Sequence, residues 1–110
     1  MSVREGSTAD GAAAVVESLV SAGVEVVFGI SGIHGIRLFD AVERSPLRLI
    51  VPRHEQGAAF MADGYARATG RVGVCLMTTG PGAANTMAAL GIAYLDSSPV
   101  LQISTQQALE

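Results

Sequence analysis

Segments with the spacing of an amphipathic helix alternate along this chain with short runs of apolar residues. The first helix is predicted to follow Thr8, whose hydroxyl can cap it, and to end at Gly23. Further helices are predicted over residues 36–42, 55–69 and 83–95, and strands over 24–28, 47–51, 72–78 and 99–104. Strands that are apolar throughout and separated by helices predict an α/β fold, a parallel sheet with helices on both faces.

Such a sheet concentrates its loops at one edge. Right-handed crossovers bring the carboxyl ends of all the strands to that edge, where open α/β sheets bind their ligands. Four loops leave the predicted strands at this edge: those over 29–35, 52–56 and 78–85, and a fourth that begins at Ser104. Sheets commonly have about five or six strands. Since four are predicted, we expect one domain over residues 1–110, truncated at its C-terminal end.

Composition and charge exclude several classes of protein. Hydrophobic residues make up 49% of the chain and charged residues 15%, which excludes a disordered segment. There is no lysine and the net charge is −3, so we expect no nucleic-acid partner. No apolar run approaches the ~18 residues of a membrane span and no signal peptide is recognisable, so we expect a cytoplasmic protein without a membrane partner. The single cysteine, Cys75, suits a reducing compartment and is expected to be buried.

Three features of the expected ligand edge have two interpretations each. Glu55 opens the helix over 55–69, where a carboxylate either stabilises the helix N-terminus or exchanges protons with a ligand. The adjacent His54 either hydrogen bonds locally or acts as an acid–base partner. The glycine-rich segment 78–82 either presents backbone N–H groups to an anion or a flat heterocycle, or simply forms a tight turn. The residue types alone leave these alternatives open.

Longer motifs, in a fixed order, make the sequence similar to a known family. The motifs are RHEQGAA at 53–59, ADGYARATG at 62–70, TGPGAAN at 79–85 and AYLDS at 93–97. They resemble the N-terminal, pyrimidine-binding domain of thiamine-diphosphate-dependent enzymes of the acetolactate synthase type. The resemblance runs from about residue 9 to about residue 107. It implies a flavodoxin-like, doubly wound sheet of which about four strands are present.

The resemblance also implies roles for particular residues. Glu55 is the implied catalytic residue, which hydrogen bonds a ring nitrogen of the aminopyrimidine and so promotes loss of the thiazolium C2 proton. The implied cofactor-binding residues are Glu55, Gly32, Pro81, Gly82 and Asn85. Gln106 is implied to face the substrate.

The cofactor implied by the resemblance is thiamine diphosphate. Its diphosphate and Mg²⁺ are held in this family by a Gly-Asp-Gly motif in another domain. We therefore expect no metal site in these residues, and we do not expect Asp63 or Asn85 to serve as ligands. The resemblance leaves FAD open, because family members bind it mainly through later domains.

The implied reaction is decarboxylation of pyruvate and transfer to a second 2-oxo acid, as in branched-chain amino acid biosynthesis. The complete protein is expected to be a homodimer or homotetramer, and these residues alone are expected to be inactive. Two alternatives stay open. One is a decarboxylase of another aliphatic 2-oxo acid. Two branches of the family are disfavoured, because one carries a His-His pair after the fourth strand and the other carries a histidine near Thr78, and this sequence has neither. The other is a noncatalytic α/β binding domain, which Ser31 favours because the family has proline there.

Overall fold

A computed structural model describes residues 10–107, in which four parallel strands form one sheet with helices on both faces. In chain order the elements are α1 (Gly11–Ser21), β1 (Val26–Gly29), α2 (Ile36–Glu43), β2 (Arg48–Ile50), α3 (Glu55–Thr69), β3 (Gly73–Met77), α4 (Pro81–Ala84), α5 (Met87–Leu95) and β4 (Val100–Ser104). A 3₁₀ turn at Ile33–Gly35 precedes α2. The strand order is β2-β1-β3-β4. The predicted α/β fold, doubly wound and flavodoxin-like, is therefore confirmed.

The chain reverses its direction across the sheet between β1 and β3. From β1 it passes through α2 to the edge strand β2, and from β3 it passes through α4 and α5 to the opposite edge strand β4. The helices α1 and α2 pack on one face, whereas α3 and α5 pack on the other. The loops that follow β1 and β3 therefore diverge toward opposite faces, and folds of this kind bind ligands in the crevice between such loops.

The two central strands divide their side chains between two apolar clusters. The cluster beneath α1 and α2 contains Val27, Val74 and Leu76, and the cluster beneath α3 and α5 contains Phe28, Cys75 and Met77. Burial on both faces explains why these strands are apolar throughout. Cys75 is buried, as predicted, and burial raises the pKa of its thiol to about 11. The thiol therefore stays protonated at neutral pH.

The first helix begins at a different residue from the one predicted. Asp10 is its N-cap, and the Asp10 carboxylate accepts a hydrogen bond of 3.0 Å from the Ala13 N–H. The predicted cap, Thr8, lies outside the described residues. An aspartate at this position satisfies one of the free N–H groups of the first turn.

Glycines follow α1 and α3 where the sequence predicts these helices to end. Gly23 follows α1 with φ +87°, and the N–H groups of Gly23 and Val24 donate to the carbonyls of Val20 and Leu19 at 3.0 Å each. Gly70 ends α3 with φ +71°. Left-handed backbone at these positions is accessible to glycine at little cost, so both chain reversals follow from the sequence.

The prediction of one helix over 83–95 is wrong in one respect, because the structure has an interruption within this range. The break between α4 and α5 falls at Asn85 and Thr86. The Thr86 hydroxyl donates to the Ala83 carbonyl at 2.6 Å, and the Thr86 N–H donates to the same carbonyl at 3.2 Å. A side chain that bonds the backbone three residues earlier competes with the regular helical ladder. The helix resumes at Met87, and Asn85 is left at the end of the first turn.

The helix α3 packs unusually close to β3. Its inner face consists of small residues, and a Cβ at Gly73, the first residue of β3, would overlap the Ala62 carbonyl of α3. No side chain other than glycine's hydrogen fits this contact without displacement of backbone. The position of α3 along the sheet is therefore fixed at this point.

An ion-pair network ties α3 to the end of α5. Arg67 Nε donates to Asp63 Oδ1 at 2.9 Å, and Arg67 Nη2 lies 2.9 Å from Asp96 Oδ2, just beyond α5. The Asp63 side chain is only 8% exposed. The hydrogen bond from Arg67 holds the pKa of the Asp63 carboxyl below its ordinary value of 3.8.

Gly73→Ala is expected to lower the free energy of unfolding by about 1–3 kcal/mol or more, because its methyl group would meet the Ala62 carbonyl. Gly64→Ala is the matched control, since a Cβ at this position in α3 meets nothing within 4 Å. Alanine in a helix is favoured over glycine, so the control should gain about 0.5–1 kcal/mol. Urea denaturation measures both. Equal stability of the two variants would contradict the assigned contact.

Asp63→Asn should reduce stability at neutral pH, because it removes a buried carboxylate that is ion-paired with Arg67. The pKa of Asp63 is lowered in the folded protein, so its contribution is complete above 3.8 and disappears as the pH falls through the folded-state pKa. The difference between variant and wild type should therefore shrink in strong acid.

Thermal unfolding across this pH range measures the effect of Asp63→Asn. The control is Asp40→Asn, which breaks an ion pair with Arg44 in which both side chains are more than half exposed. Exposed pairs contribute about 0–1 kcal/mol, so the control should differ little from wild type. A difference for Asp63→Asn that persists in strong acid would contradict this account.

Candidate functional site

Residues from three loops converge at the carboxyl edge of the sheet. Gly32 lies in the loop after β1, Glu55 begins α3 after β2, and Gly82 and Asn85 follow β3. These four residues are among those that the resemblance implies to bind the cofactor, and they come from three separate parts of the sequence. We refer to them, together with Thr78, as the edge cluster.

The Glu55 carboxylate is held at one oxygen. Glu55 is half-buried as the first residue of α3, and its Oε1 accepts a hydrogen bond of 3.1 Å from Asn85 Nδ2. The interruption after α4 matters here, because it places Asn85 at the end of a short turn. Among residues 10–107, no hydrogen bond to the other carboxylate oxygen is found. One carboxylate oxygen is therefore engaged by Asn85, and the other is left to accept a hydrogen bond from a ligand or to donate one to it.

The adjacent histidine has a local role. His54 is exposed and is the N-cap of α3, where its Nδ1 accepts a hydrogen bond of 3.0 Å from the Gln56 N–H. Of the two interpretations of this residue, local hydrogen bonding is the one that the geometry favours. An imidazole can thus replace the usual serine or aspartate at a helix start.

The turn after β3 depends on glycine and proline. Gly80 has φ +62°, a conformation that L side chains rarely adopt, and Pro81 begins α4. Proline suits a first helical position because its missing N–H would have no partner there. Gly82 is buried, and a Cβ on it would lie 2.7 Å from Thr78 Cγ2 and 4.0 Å from Glu55 Cγ. The turn therefore approaches both side chains with bare backbone.

Thr78 is a member of the edge cluster that sequence analysis missed. It is the first residue after β3, and a Cβ on Gly32 would lie 2.5 Å from its Oγ1 and 2.8 Å from its Cβ. The side chain thus lies between glycines of two different loops. Its place at the end of a central strand, between two glycine-rich loops, is the sequence signal that points to it.

The remaining predicted residues lie at the periphery. Gln106 is exposed two residues beyond β4, and no hydrogen bond in the described range joins it to the edge cluster. Pro81 is exposed on the turn, as is Ser31 in the loop after β1. The structure therefore brings together Gly32, Glu55, Gly82 and Asn85, with Pro81 beside them, whereas Gln106 makes no hydrogen bond to them among the described residues.

The described residues contain neither a cluster of metal ligands nor a helix that could cross a membrane. Within residues 10–107, no group of three or more His, Cys, Asp or Glu side chains is arranged to hold a metal ion. None of the helices in this range has both the length and the apolar character needed to cross a membrane.

A comparison with protein families identifies the chain. Residues 9–110 match the family described as thiamine pyrophosphate enzyme, N-terminal TPP binding domain. Thiamine pyrophosphate is another name for thiamine diphosphate. The match covers nearly the whole chain, so the chain belongs to this family, and the predicted resemblance is confirmed.

Relatives among characterised proteins agree with this family. A probable 2-ketoarginine decarboxylase of Pseudomonas aeruginosa is 51% identical over 84% of this chain. Acetolactate synthase of Arthrospira platensis is 49% identical over 87% of this chain, and a probable acetolactate synthase large subunit of Methanocaldococcus jannaschii is 46% identical over 87%. The matched region is 16%, 17% and 16% of these relatives, respectively, so the chain spans about one sixth of their length.

Proposed function

We propose that the chain is the pyrimidine-binding part of a thiamine-diphosphate-dependent enzyme that acts on 2-oxo acids, with Glu55 as its catalytic residue. The observation that carries this proposal is the Glu55 carboxylate at the carboxyl edge of the sheet. One of its oxygens accepts the Asn85 amide at 3.1 Å, and the other has no hydrogen bond among the described residues. A carboxyl group with this arrangement is suited to hold a proton at one defined atom.

The edge cluster fits the aminopyrimidine end of this cofactor. A flat ring can be bound where backbone without side chains can approach its faces. The glycines at positions 32, 80 and 82 provide such backbone in the two segments beside Glu55. The ring also needs a carboxyl group for one of its nitrogens, and Glu55 offers its free oxygen. These two features support Gly32, Pro81, Gly82 and Asn85 as cofactor-binding residues.

When bound, thiamine diphosphate supplies the electron sink that decarboxylation of a 2-oxo acid requires. The contribution of this chain is to orient and to move a proton. The Asn85 amide donates to Oε1, so Oε2 would be the atom that holds the proton toward the ring nitrogen. The packing of α3 on β3 fixes the backbone from which Glu55 projects.

The complete protein would supply the rest of the active site. Because the chain spans about one sixth of its relatives, we assign the diphosphate and Mg²⁺ sites to residues outside it. We propose a homodimer or homotetramer as the active form, and Gln106 as a substrate contact beyond β4. The substrate is a small 2-oxo acid.

Acetolactate synthesis is the first candidate reaction, because relatives 46% and 49% identical to the chain are acetolactate synthases by name. In that reaction one pyruvate is decarboxylated and its two-carbon unit is joined to a second 2-oxo acid. Simple decarboxylation of an aliphatic 2-oxo acid is the second candidate, because a relative 51% identical is a probable 2-ketoarginine decarboxylase.

Product analysis with the complete protein distinguishes the two reactions. We expect pyruvate to give acetolactate in excess over acetaldehyde, measured by NMR of the reaction mixture. Aldehyde as the sole product, or faster decarboxylation of 2-ketoarginine than of pyruvate, would contradict the synthase assignment and support the decarboxylase. No turnover of any 2-oxo acid, with the cofactor and Mg²⁺ present, would favour a noncatalytic binding domain.

Glu55→Gln in the complete protein should lower turnover by about 10²–10⁴-fold, because the amide keeps the shape of the side chain and cannot transfer the proton. Loss of one hydrogen bond should weaken thiamine diphosphate binding by no more than about tenfold. Steady-state rates and cofactor titration measure the two effects separately. The control is Glu43→Gln at the exposed end of α2, which should retain wild-type turnover. A Glu55→Gln enzyme with the wild-type rate would refute the catalytic role.

A further inference from the structure

Thr78 occupies a slot whose walls are bare backbone. Gly32 bounds the slot on the side of the loop after β1, and Gly82 bounds it on the side of the turn after β3. At both glycines a Cβ would come within 3.0 Å of the Thr78 side chain, a separation that real Cβ atoms essentially never show. The two loops of the crevice are therefore as close to each other as this one side chain permits.

The threonine side chain meets the two glycines unequally. A Cβ on Gly32 would lie 2.5 Å from its hydroxyl oxygen, 2.8 Å from its Cβ and 2.9 Å from its methyl carbon, whereas a Cβ on Gly82 would come within 3.0 Å of the methyl carbon alone. A Cβ on Gly82 would also be 4.0 Å from Glu55 Cγ. Thr78, Gly82 and Glu55 thus lie next to one another across the edge cluster.

Thr78 directly follows a fully buried strand, whereas Gly32 lies in a loop and Gly82 in a short helical turn. Four consecutive residues of β3 are 0% exposed: Val74, Cys75, Leu76 and Met77. The hydrogen bonding between β3 and β4 continues one residue beyond β4, where the Thr105 N–H donates to the Met77 carbonyl at 3.1 Å. Threonine is also stiff at χ1, because two heavy atoms branch from its Cβ. A fixed side chain between two glycine loops determines where those loops stand.

We propose that Thr78 is a positioning residue that sets the separation of the Gly32 and Gly82 loops and so holds the Asn85-bearing turn against Glu55. The proposal rests on the proposed function, because its consequence is a defined space for the aminopyrimidine ring. The Thr78 methyl group is the part that supports Gly82, whereas the hydroxyl oxygen and the Cβ are the nearest parts to Gly32. Removal of the methyl group therefore relaxes the Gly82 side of the crevice and leaves the two nearest atoms on the Gly32 side in place.

Cofactor titration of the complete protein with thiamine diphosphate and Mg²⁺ tests this proposal. Thr78→Ser deletes the methyl group and should weaken binding by about 5- to 10-fold, the effect of one lost buried methyl group. Thr69→Ser deletes a methyl group at the exposed far end of α3 and should bind within about twofold of wild type. Wild-type affinity of Thr78→Ser would overturn the proposal.

A pair of double variants tests the geometry itself. Gly82→Ala should weaken binding by about tenfold or more, because its methyl group meets the Thr78 methyl group. Addition of Thr78→Ser should recover part of that loss, since the alanine then fills the vacated space. Gly32→Ala should not be rescued by Thr78→Ser, because serine keeps the hydroxyl oxygen and the Cβ, the two atoms that the alanine methyl group would approach most closely. Equal rescue of both glycine variants, or of neither, would contradict the proposal.

Urea denaturation of the same variants separates positioning from general packing. If Thr78→Ser loses stability while its cofactor affinity stays at the wild-type value, Thr78 is a packing residue and the proposal is wrong. If the wild-type protein itself does not bind thiamine diphosphate, the proposed function fails, and this result is distinct from failure of the inference. Both the proposed function and the inference are supported if the wild-type protein binds thiamine diphosphate and Thr78→Ser rescues Gly82→Ala but not Gly32→Ala.

Discussion

The contact between α3 and β3 determines where the functional residues of this domain lie. The Ala62 carbonyl rests against the bare backbone of Gly73, and the alanine face of the helix continues this close packing along the strand. Because the helix cannot move along the sheet without breaking the contact, its first residue stands at a fixed point of the carboxyl edge. That residue is Glu55, so the position of the proposed catalytic carboxyl follows from a contact seven residues further along α3.

Polar contacts then tie α3 to the segment that follows β3 at both ends. Near the edge cluster, Asn85 donates to Glu55; at the far end, Arg67 bridges Asp63 and Asp96. The first contact is exposed, as a binding site requires, whereas the second contains a nearly buried carboxylate and serves stability. The helix α3 thus combines an anchor near its last turn with a site that a ligand can reach at its first residue.

The sequence predicted most of this fold, and its omissions have physical causes. The bounds of α3 were predicted correctly, because Glu55 follows a strand and Gly70 provides a left-handed end. The break before α5 depends on one hydroxyl–carbonyl hydrogen bond from Thr86, which hydrophobic periodicity does not register. Thr78 was missed because its contact with Gly32 depends on the pairing of β1 with β3. Position alone left Glu55 ambiguous, and only the combination of motifs indicated its role.

The rate at which the C2 proton of bound thiamine diphosphate exchanges with deuterium tests the central claim most directly. The experiment compares the complete wild-type protein with Glu55→Gln, both saturated with cofactor, and NMR of quenched samples follows the exchange. The account predicts that exchange slows by at least about a hundredfold in the variant, because the carboxyl that moves the proton is gone. Equal exchange rates in the two saturated proteins would contradict the account, since Glu55 would then contribute to the domain only as the first residue of α3.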